Sequence, residues 1–227
     1  MTIRVCVSIP PKTVEEAFEL IRKAEAQHAD LIEVRLDSLN AHDRIADIPP
    51  CSKTRLIATN KSTEQHGNFS GSETERQKIL MDAARNGFTY VDVDLGTPKQ
   101  TELISSLHEA GAKVIVSFHD FEQTPPLPQL NRVLEEEVAL GADVCKIITT
   151  ARTVEDNLVT LNFVSEASKK AKLVCFAMGE LGKPSRLLSP VFGAFFTFAS
   201  LDEKRKTAKG QLTIDEMQRA YELLGLK

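Results

Sequence analysis

Residues 142–148 read ADVCKII, a short apolar run typical of a buried β-strand, with one lysine, Lys146, near its centre. An ammonium is costly to bury unless it is paired with an anion or loses its proton. If it is buried, Lys146 is therefore either ion-paired or chemically reactive, whereas a lysine at a strand end can instead extend into solvent. If burial lowers the pKa of Lys146 toward neutrality, its neutral amine becomes a nucleophile for carbonyl groups.

Similar apolar runs recur along the chain and alternate with amphipathic helical patterns. The strand patterns cover residues 3–9, 30–36, 55–60, 89–94, 112–118, 143–148, 172–177 and 194–198. The helical patterns cover residues 13–28, 72–86, 98–110, 127–140, 153–170, 182–190 and 213–225, with a poorer one at 38–47. Eight strands with eight helices predict an α/β fold, a closed parallel (β/α)8 TIM barrel, rather than an open doubly wound sheet. No linker rich in proline or glycine interrupts the pattern, so we expect one domain over residues 1–227.

Composition and charge exclude several functional classes. The chain has 227 residues, of which 42% are hydrophobic and 26% charged, as in ordinary globular proteins. Its net charge of −4 argues against nucleic acid or an anionic membrane as a partner. No apolar run approaches the length of a membrane span, and the first residues do not resemble a signal peptide. We therefore expect a cytoplasmic protein without a membrane or nucleic-acid partner.

The motif inventory predicts neither a metal nor a cofactor. The glycine-rich turns that bind dinucleotides or phosphate are missing from the sequence, and so are HxH and HExxH motifs. The four cysteines have no CxxC spacing, which favours free thiols in a reducing compartment. They are Cys6, Cys51, Cys145 and Cys175.

Charged residues with a period of two mark the second predicted strand. Glu33, Arg35 and Asp37 point to one side of an extended chain. In a barrel, helices cover the other face of the strand, so the charged side is predicted to face the lumen. Because buried charges need partners, we expect these three to form a paired cluster at the carboxyl end of the strand, where a site can form.

Further polar residues lie at the same predicted end of the barrel. His119 ends the strand that precedes the Lys146 strand, and neighbouring parallel strands lie about 4.8 Å apart, so the two side chains are predicted to reach one ligand. Arg186 becomes a candidate clamp for a carboxylate or phosphate. His66, in the polar loop 61–71, is a further candidate for this site, because loops after barrel strands build active sites. The loop 202–211 can close over a ligand.

Six motifs, taken together and in order, resemble the type I 3-dehydroquinate dehydratases of the shikimate pathway. They are EVRLD at 33–37, SFHDF at 117–121, CKI at 145–147, MGELGKPSR at 178–186, VFGAFFTFAS at 191–200 and GQL at 210–212. The resemblance implies a (β/α)8 barrel that dehydrates the small molecule 3-dehydroquinate to 3-dehydroshikimate through a lysine Schiff base. It implies no metal or coenzyme, a place as the third step of chorismate and aromatic amino acid biosynthesis, and a homodimer.

The resemblance also implies roles for individual residues. Lys146 resembles the Schiff-base lysine and His119 the proton-transfer histidine, while Glu33 matches an acid that we expect to orient His119 and assist proton transfer. Six further residues stand at positions of the family at which we expect contact with substrate, with Thr207 where the family often has serine and Lys61 where bacterial members have arginine: Ser8, Arg35, Lys61, Arg186, Thr207 and Gln211.

The loop after the third strand departs from the family pattern. It reads Lys61, Gln65, His66 and Gly67, where bacterial members have an arginine followed by a glutamate and a glycine pair. Lysine lacks the planar fork of arginine, and a role for Gln65 in tuning the histidine stays open.

Two other functions are compatible with a lysine in the lumen. A class I aldolase also uses one, but that function assigns no role to His119, Arg186 or the Gly210-Gln211 loop. A catalytically silent barrel that binds carboxylates is the second, and the departures at Lys61 and Gln65 are its main support.

Overall fold

Eight parallel strands form one sheet that curves into a nearly closed barrel. The computed structural model describes residues 3–226. The strands are Val5–Ile9 (β1), Leu31–Arg35 (β2), Arg55–Thr59 (β3), Tyr90–Asp94 (β4), Lys113–His119 (β5), Val144–Thr150 (β6), Leu173–Met178 (β7) and Thr197–Ser200 (β8). Their order is β7-β6-β5-β4-β3-β2-β1-β8, and the backbone N–H of Phe195 reaches the carbonyl of Leu173 at 2.7 Å. This bond brings the segment before β8 beside β7 and confirms the predicted (β/α)8 barrel.

Within residues 3–226, seven α-helices pack around the barrel. They are Val14–Ala26 (α1), Glu73–Arg85 (α2), Gln100–Glu109 (α3), Leu127–Ala139 (α4), Asp156–Ala167 (α5), Lys183–Leu188 (α6) and Ile214–Leu223 (α7). The N-caps of α2 and α7, Ser72 and Thr213, each form a capping box with a glutamate at the third helical position. Such caps satisfy backbone donors that a helix start leaves free.

The prediction of a helix at 38–47 is wrong. Between β2 and β3 the chain forms three short 3-10 turns instead, at Leu36–Ser38, Ile45–Asp47 and Pro49–Cys51. Asn40 and Asp43 are residues whose side chains compete with helical hydrogen bonds, and prolines at 49 and 50 remove two backbone donors. The connection is therefore too often interrupted to sustain an α-helix.

The last strand begins later than the sequence predicts. The pattern placed it at 194–198, whereas β8 pairs with β1 from Thr197 to Ser200, with Val5 opposite Thr197. The strongest apolar signal, Phe195-Phe196, comes from packing at the entrance to the strand. Ala199 and Ser200, which lie beyond the predicted end of this strand, belong to β8 and are fully buried.

Apolar side chains fill most of the barrel interior. Those in the interior cluster are Cys6, Leu31, Ile57, Tyr90, Ile115, Val144, Ile148, Val174, Phe176, Phe196 and Phe198. Separate clusters fill the space between strands and helices, for example Val34 of β2 and Leu80 of α2. The four cysteines are unpaired, and Cys6, Cys145 and Cys175 are buried in strands. None of the helices within residues 3–226 has the length and apolar character needed to cross a membrane.

Glu137 is a buried carboxyl outside the barrel, between α4 and β6. Neither of its carboxyl oxygens has a hydrogen-bond partner among the described residues, and the nearest polar groups are Cys145 and the backbone of Lys146. Burial raises the pKa of Glu137 well above its ordinary value. The folded protein therefore binds this proton more tightly than the unfolded chain does.

We expect Glu137→Gln to stabilise the protein more at pH 8 than at pH 5. A raised pKa in the folded state means that stability falls as pH rises above the ordinary value of about 4.3, and the amide removes this dependence. The gain in unfolding free energy at pH 8 should be about 1–3 kcal/mol, measured by urea denaturation. Glu136→Gln, at an exposed position of the same helix, is the control. An equal gain at both pH values contradicts a buried titrating carboxyl.

Candidate active site

A cavity of about 130 Å³ lies at the carboxyl end of the barrel. It forms because the character of the inward-facing side chains changes along the strands. On three strands an apolar inward-facing residue is followed, two positions later, by an ionisable one. The pairs are Leu31 and Glu33 on β2, Tyr90 and Asp92 on β4, and Val144 and Lys146 on β6. The lower layer closes the barrel and the upper layer surrounds the cavity, as in other barrels of this type.

The structure brings eight of the nine predicted site residues to this cavity. Those that line it are Glu33, Arg35, Lys61, His119, Lys146, Arg186, Thr207 and Gln211. Ser8 does not line it. Its hydroxyl lies deeper, with 1% of the residue exposed, and donates a hydrogen bond to Glu33 Oε2. Ser8 therefore positions the Glu33 carboxylate from beneath the cavity.

Lys146 is an ion-paired ammonium on the barrel floor. Its Nζ donates to Asp92 Oδ2 at 2.8 Å, lies 3.7 Å from Glu33 Oε1 and sits 4.7 Å from the centre of the Phe198 ring. Burial by itself lowers the pKa of Lys146, but the carboxylates of Asp92 and Glu33 outweigh that effect and raise it above its ordinary value. The expectation of a lowered pKa is therefore wrong for the resting site, because a partner was missing from the sequence reasoning.

That partner, Asp92, is shared by two lysines. Its second oxygen accepts from Lys61 Nζ at 2.6 Å, and Lys61 also donates to Asp94 and, at 2.8 Å, to Ser117 Oγ. Burial favours the protonated form of Asp92, yet Lys146 and Lys61 together hold its pKa far below the ordinary value. The result is a buried chain of alternating charge that joins β3, β4 and β6.

Sequence reasoning missed Asp92, Asp94 and Ser117. The signal was present, because TYVDVD at 89–94 places Asp92 and Asp94 two residues apart in an otherwise apolar strand. This is the same periodicity that identified Glu33 and Arg35. Ser117 is opposite both Asp94 and Lys146 in the strand register, so it can bridge the two lysine environments.

Glu33 has different partners from those expected. Its carboxylate accepts from Ser8 and from Thr59 Oγ1 at 2.9 Å, and it lies near Lys146. No hydrogen bond joins Glu33 to His119 among the described residues, so the prediction that Glu33 orients the histidine directly is wrong for this state. Glu33 instead belongs to the floor of the cavity.

Arg35 and Asp37 form a pair of their own. The guanidinium donates to both Asp37 oxygens, at 2.8 and 2.7 Å. Asp37 lies in the 3-10 turn after β2, where the alternation of the strand ends, and it accepts from the backbone N–H of Asn68 at 3.1 Å. The predicted cluster of three charges is therefore confirmed in part: Glu33 and Arg35 line the cavity and Arg35 pairs with Asp37, but Asp37 itself does not line the cavity and instead anchors the loop behind it.

His119 faces the cavity as a neutral imidazole. Its Nδ1 is buried without a partner in the described structure, and its ring stacks on Phe121 with an interplanar angle of 10°. Burial lowers the pKa of His119 well below its ordinary value, and the charges of Lys61 and Lys146 lower it further. A neutral histidine next to two ammoniums can accept a proton.

The loop after β3 adds His66 and Gln65 to the cavity wall. The loop folds back on itself, since Phe69 N–H donates to the Lys61 carbonyl at 3.1 Å, and a side chain at Gly67 would overlap that same carbonyl. The His66 ring lies 4.1 Å from that of Phe121, so three rings line one side of the mouth.

Arg186 presents a buried guanidinium to the cavity. It is 2% exposed, its guanidinium lies 4.1 Å from the centre of the Phe176 ring, and its Nε and NH2 have no partner within the described residues. Burial lowers the pKa of Arg186 to about 9. Two free, adjacent N–H donors in a buried site are suited to a bidentate anion.

The segment after β8 forms the remaining wall with Thr207 and Gln211. Gln211 is 2% exposed, and its Oε1 accepts from the Thr207 backbone N–H at 2.8 Å. Gly210 has φ 71° and lies so close to the Gly179 carbonyl that any side chain there would overlap it. The segment is thus packed against the end of β7, beside Arg186.

Together these groups supply a lysine, a neutral histidine and an anion clamp around one small cavity. Within residues 3–226, His, Cys, Asp and Glu side chains form no cluster of three or more that could hold a metal ion. The described side chains suit a carbonyl compound that carries an acid group, because Lys146 can react with the carbonyl while Arg186 holds the acid.

Comparison with known proteins finds relatives that match nearly the whole chain. A 3-dehydroquinate dehydratase of Methanococcus maripaludis (strain C6) is 33% identical over 222 residues, covering 97% of this chain and 99% of the relative. One of Thermococcus onnurineus is 37% identical over 214 residues, covering 94% and 95%. The crystal structure of 3-dehydroquinate dehydratase from Geobacillus kaustophilus superposes with a TM-score of 0.89 at 25% identity, covering 99% of this chain and 92% of that one.

The family model described as Type I 3-dehydroquinase matches residues 5–227. This match includes all eight strands and every residue that lines the cavity. The chain therefore belongs to the type I 3-dehydroquinase family.

Proposed function

We propose that this protein removes water from 3-dehydroquinate to give 3-dehydroshikimate, a step of the shikimate pathway, through a Schiff base on Lys146. The observation that carries the proposal is that Lys146, His119 and Arg186 line one buried cavity in a member of this family. The substrate is a ring that bears a ketone and a carboxylate, and the cavity offers one suitable group for each.

Binding begins with the substrate carboxylate at Arg186. The Nε–H and NH2 groups of its guanidinium donate side by side to the two carboxylate oxygens, which gives the buried positive charge of Arg186 a partner. Gln211, which lines the same cavity, contributes a further polar contact. This placement orients the ring and brings its ketone toward the barrel floor, and such orientation lowers the barrier of the following step.

The chemistry proceeds through an imine. Lys146 gives up one proton, its amine adds to the ketone, and the adduct loses water to form a protonated imine. A proton then leaves the adjacent carbon, and its electron pair moves toward the imine nitrogen to give an enamine. The enamine expels the hydroxyl one carbon further on, and water finally hydrolyses the imine, releasing product and Lys146. The net change is the loss of one water from the substrate.

His119 is the proposed proton carrier. Its neutral imidazole takes the proton from the carbon next to the imine and then supplies one to the departing hydroxyl. Glu33 and Asp92 carry the negative charge that stabilises the protonated imine beside them. These carboxylates therefore stabilise the cationic imine that loses the first proton, and again the cationic imine that forms when the hydroxyl leaves.

Arg186→Lys should raise KM for 3-dehydroquinate about 100-fold with a smaller change in kcat. Lysine keeps the charge but loses the second N–H of the fork, so it weakens carboxylate binding more than it affects the imine chemistry. Steady-state kinetics measure the two constants separately. Arg219→Lys, at an exposed position of α7, should leave both unchanged. An unchanged KM in Arg186→Lys removes Arg186 from substrate binding.

Conversion of 3-dehydroquinate tests the proposed function directly. The purified protein should produce the conjugated product, which absorbs in the ultraviolet, and should do so equally with and without a chelator. If instead a sugar phosphate forms an adduct with Lys146 and 3-dehydroquinate does not react, the protein is a class I aldolase. Binding of 3-dehydroquinate without turnover would identify a silent carboxylate-binding barrel.

We also propose a homodimer located in the cytoplasm. Exposed apolar side chains at Val154, Leu158 and Leu181 lie at one side of the barrel, where Asn157 Nδ2 joins the Val154 and Leu181 carbonyls at 2.8 and 2.7 Å. Four unpaired cysteines suit a reducing compartment. Sedimentation of the full chain measures the assembly, and a monomer at every concentration would contradict the dimer.

A further inference from the structure

Lys61 has no donor left for a substrate. An ammonium has three N–H groups, and here they point to three buried acceptors: Asp92 Oδ1, Asp94 Oδ1 and Ser117 Oγ. The residue is 5% exposed, although its side chain reaches the cavity wall. The substrate contact expected from the sequence therefore requires Lys61 to break one of these bonds, and another role fits the geometry better.

Asp92 lies between Lys61 and Lys146. One carboxylate oxygen accepts from Lys61 at 2.6 Å and the other from Lys146 at 2.8 Å, so the two ammoniums compete for a single negative charge. Asp94, which also binds Lys61, receives a further contact from Arg76 NH1 at 3.4 Å. Lys61 therefore weakens the attraction between Asp92 and Lys146, and it places a second positive charge close to Lys146.

Other titratable groups face Lys146 from five neighbouring elements. They are Cys6 on β1, Glu33 and Arg35 on β2, Asp92 on β4, His119 on β5 and Glu137 on α4. Asp92 and Glu33 favour the ammonium, Arg35 opposes it, and His119 is neutral. Among the cations, Lys61 is the one that shares the hydrogen-bonded partner of Lys146.

We propose that Lys61 is a positioning residue that acts through Asp92: it holds the carboxylate from the far side and eases the loss of a proton from Lys146. One part of this proposal rests on the proposed function, namely that the neutral amine of Lys146 attacks the substrate ketone. The coupling of the two lysines rests on their shared carboxylate and is testable without any substrate.

Competitive acetylation measures the coupling. Acetic anhydride reacts with neutral amines, so the rate at which the Lys146 peptide gains an acetyl group at pH 9, read by mass spectrometry, reports its neutral fraction. Removing a unit positive charge that shares the Asp92 carboxylate with Lys146, in a site of effective dielectric about 20, should lower this rate about 10–100-fold in Lys61→Met. Lys61→Arg keeps the charge and should stay within about threefold of the wild type.

In a second variant the acetylation rate of Lys146 should change in the opposite direction. Asp94→Asn removes a carboxylate that does not contact Lys146 but binds Lys61, so Lys61 turns fully to Asp92 and the Lys146 rate should rise about threefold or more. Circular dichroism checks that each variant is folded. If Lys61→Met does not fold, the Asp94→Asn rate decides: a rise supports the proposal, and no rise overturns it. An unchanged rate in folded Lys61→Met also overturns it.

The outcome separates this proposal from the proposed function. A protein that does not dehydrate 3-dehydroquinate can still show the acetylation changes, which would support the coupling and reject the activity. Conversely, normal dehydration with unchanged acetylation rates would reject the coupling alone. When both proposals are correct, Lys61→Met should trap the imine only at a more alkaline pH than the wild type does. The size of this pH shift should match the drop in the acetylation rate of Lys146.

Discussion

Lys146→Ala should lower turnover of 3-dehydroquinate by about 10⁴-fold or more. The variant removes the amine that converts the ketone into an electron sink. Within residues 3–226 the other lysine that lines the cavity is Lys61, which is held by three acceptors. Spectroscopic assay of the conjugated product measures the loss. Asp92 keeps Lys61 as a partner, so the fold should survive.

Two controls make this result specific. Lys169→Ala changes an exposed lysine on the surface and should retain full activity. Binding of 3-dehydroquinate to Lys146→Ala, followed by calorimetry, should persist because Arg186 is intact. Turnover within tenfold of the wild type in Lys146→Ala would exclude the Schiff-base route.

His119→Ala should lower turnover by about 10²–10⁴-fold while imine formation continues. The imidazole moves the protons of the elimination, whereas the amine that forms the imine lies on β6 and keeps its partners. Rapid mixing with borohydride should still trap the substrate on the protein. His66→Ala, at the outer end of the ring stack, should reduce turnover far less, because Phe121 separates it from His119.

The pH dependence follows from the state of His119. Burial keeps its pKa well below the ordinary value of about 6.5, so the imidazole remains a neutral base until the solution is distinctly acidic. The acid limb of kcat/KM should therefore lie below pH 6.5, and His119→Ala should lose that limb. An acid limb that persists unchanged in the variant would assign it to another group.

Much of the barrel follows from local patterns. Buried parallel strands such as 143–148 are short and apolar, and their alternation with amphipathic helices decided the fold class, which the structure confirms. The connection at 38–47 shows where such reasoning fails: its spacing resembles a helix, but the chain forms short 3-10 turns there, and the prolines that follow cannot donate the backbone hydrogen bonds that extend a helix.

Most residues that line the cavity were predictable from the sequence, whereas the charge states and the buried partners Asp92, Asp94 and Ser117 were not predicted. Every lining residue lies on a strand or in the segment that follows one, and Arg186 was predicted as an anion clamp beside the lysine. The pKa of Lys146 depends on Asp92, a residue 54 positions away, and only the three-dimensional register brings the two together. Burial taken alone predicts a lowered pKa for Lys146, which is the wrong direction. A buried charge requires an ion-pair partner, and that partner raises the pKa.

Reduction with borohydride in the presence of 3-dehydroquinate tests the Schiff base most directly. Digestion and mass spectrometry should find the reduced adduct on the peptide that contains Lys146, on that lysine and on no other, and the adduct should be missing from Lys146→Ala. Product formation without any adduct on Lys146, or an adduct on a different lysine, would contradict the proposed mechanism.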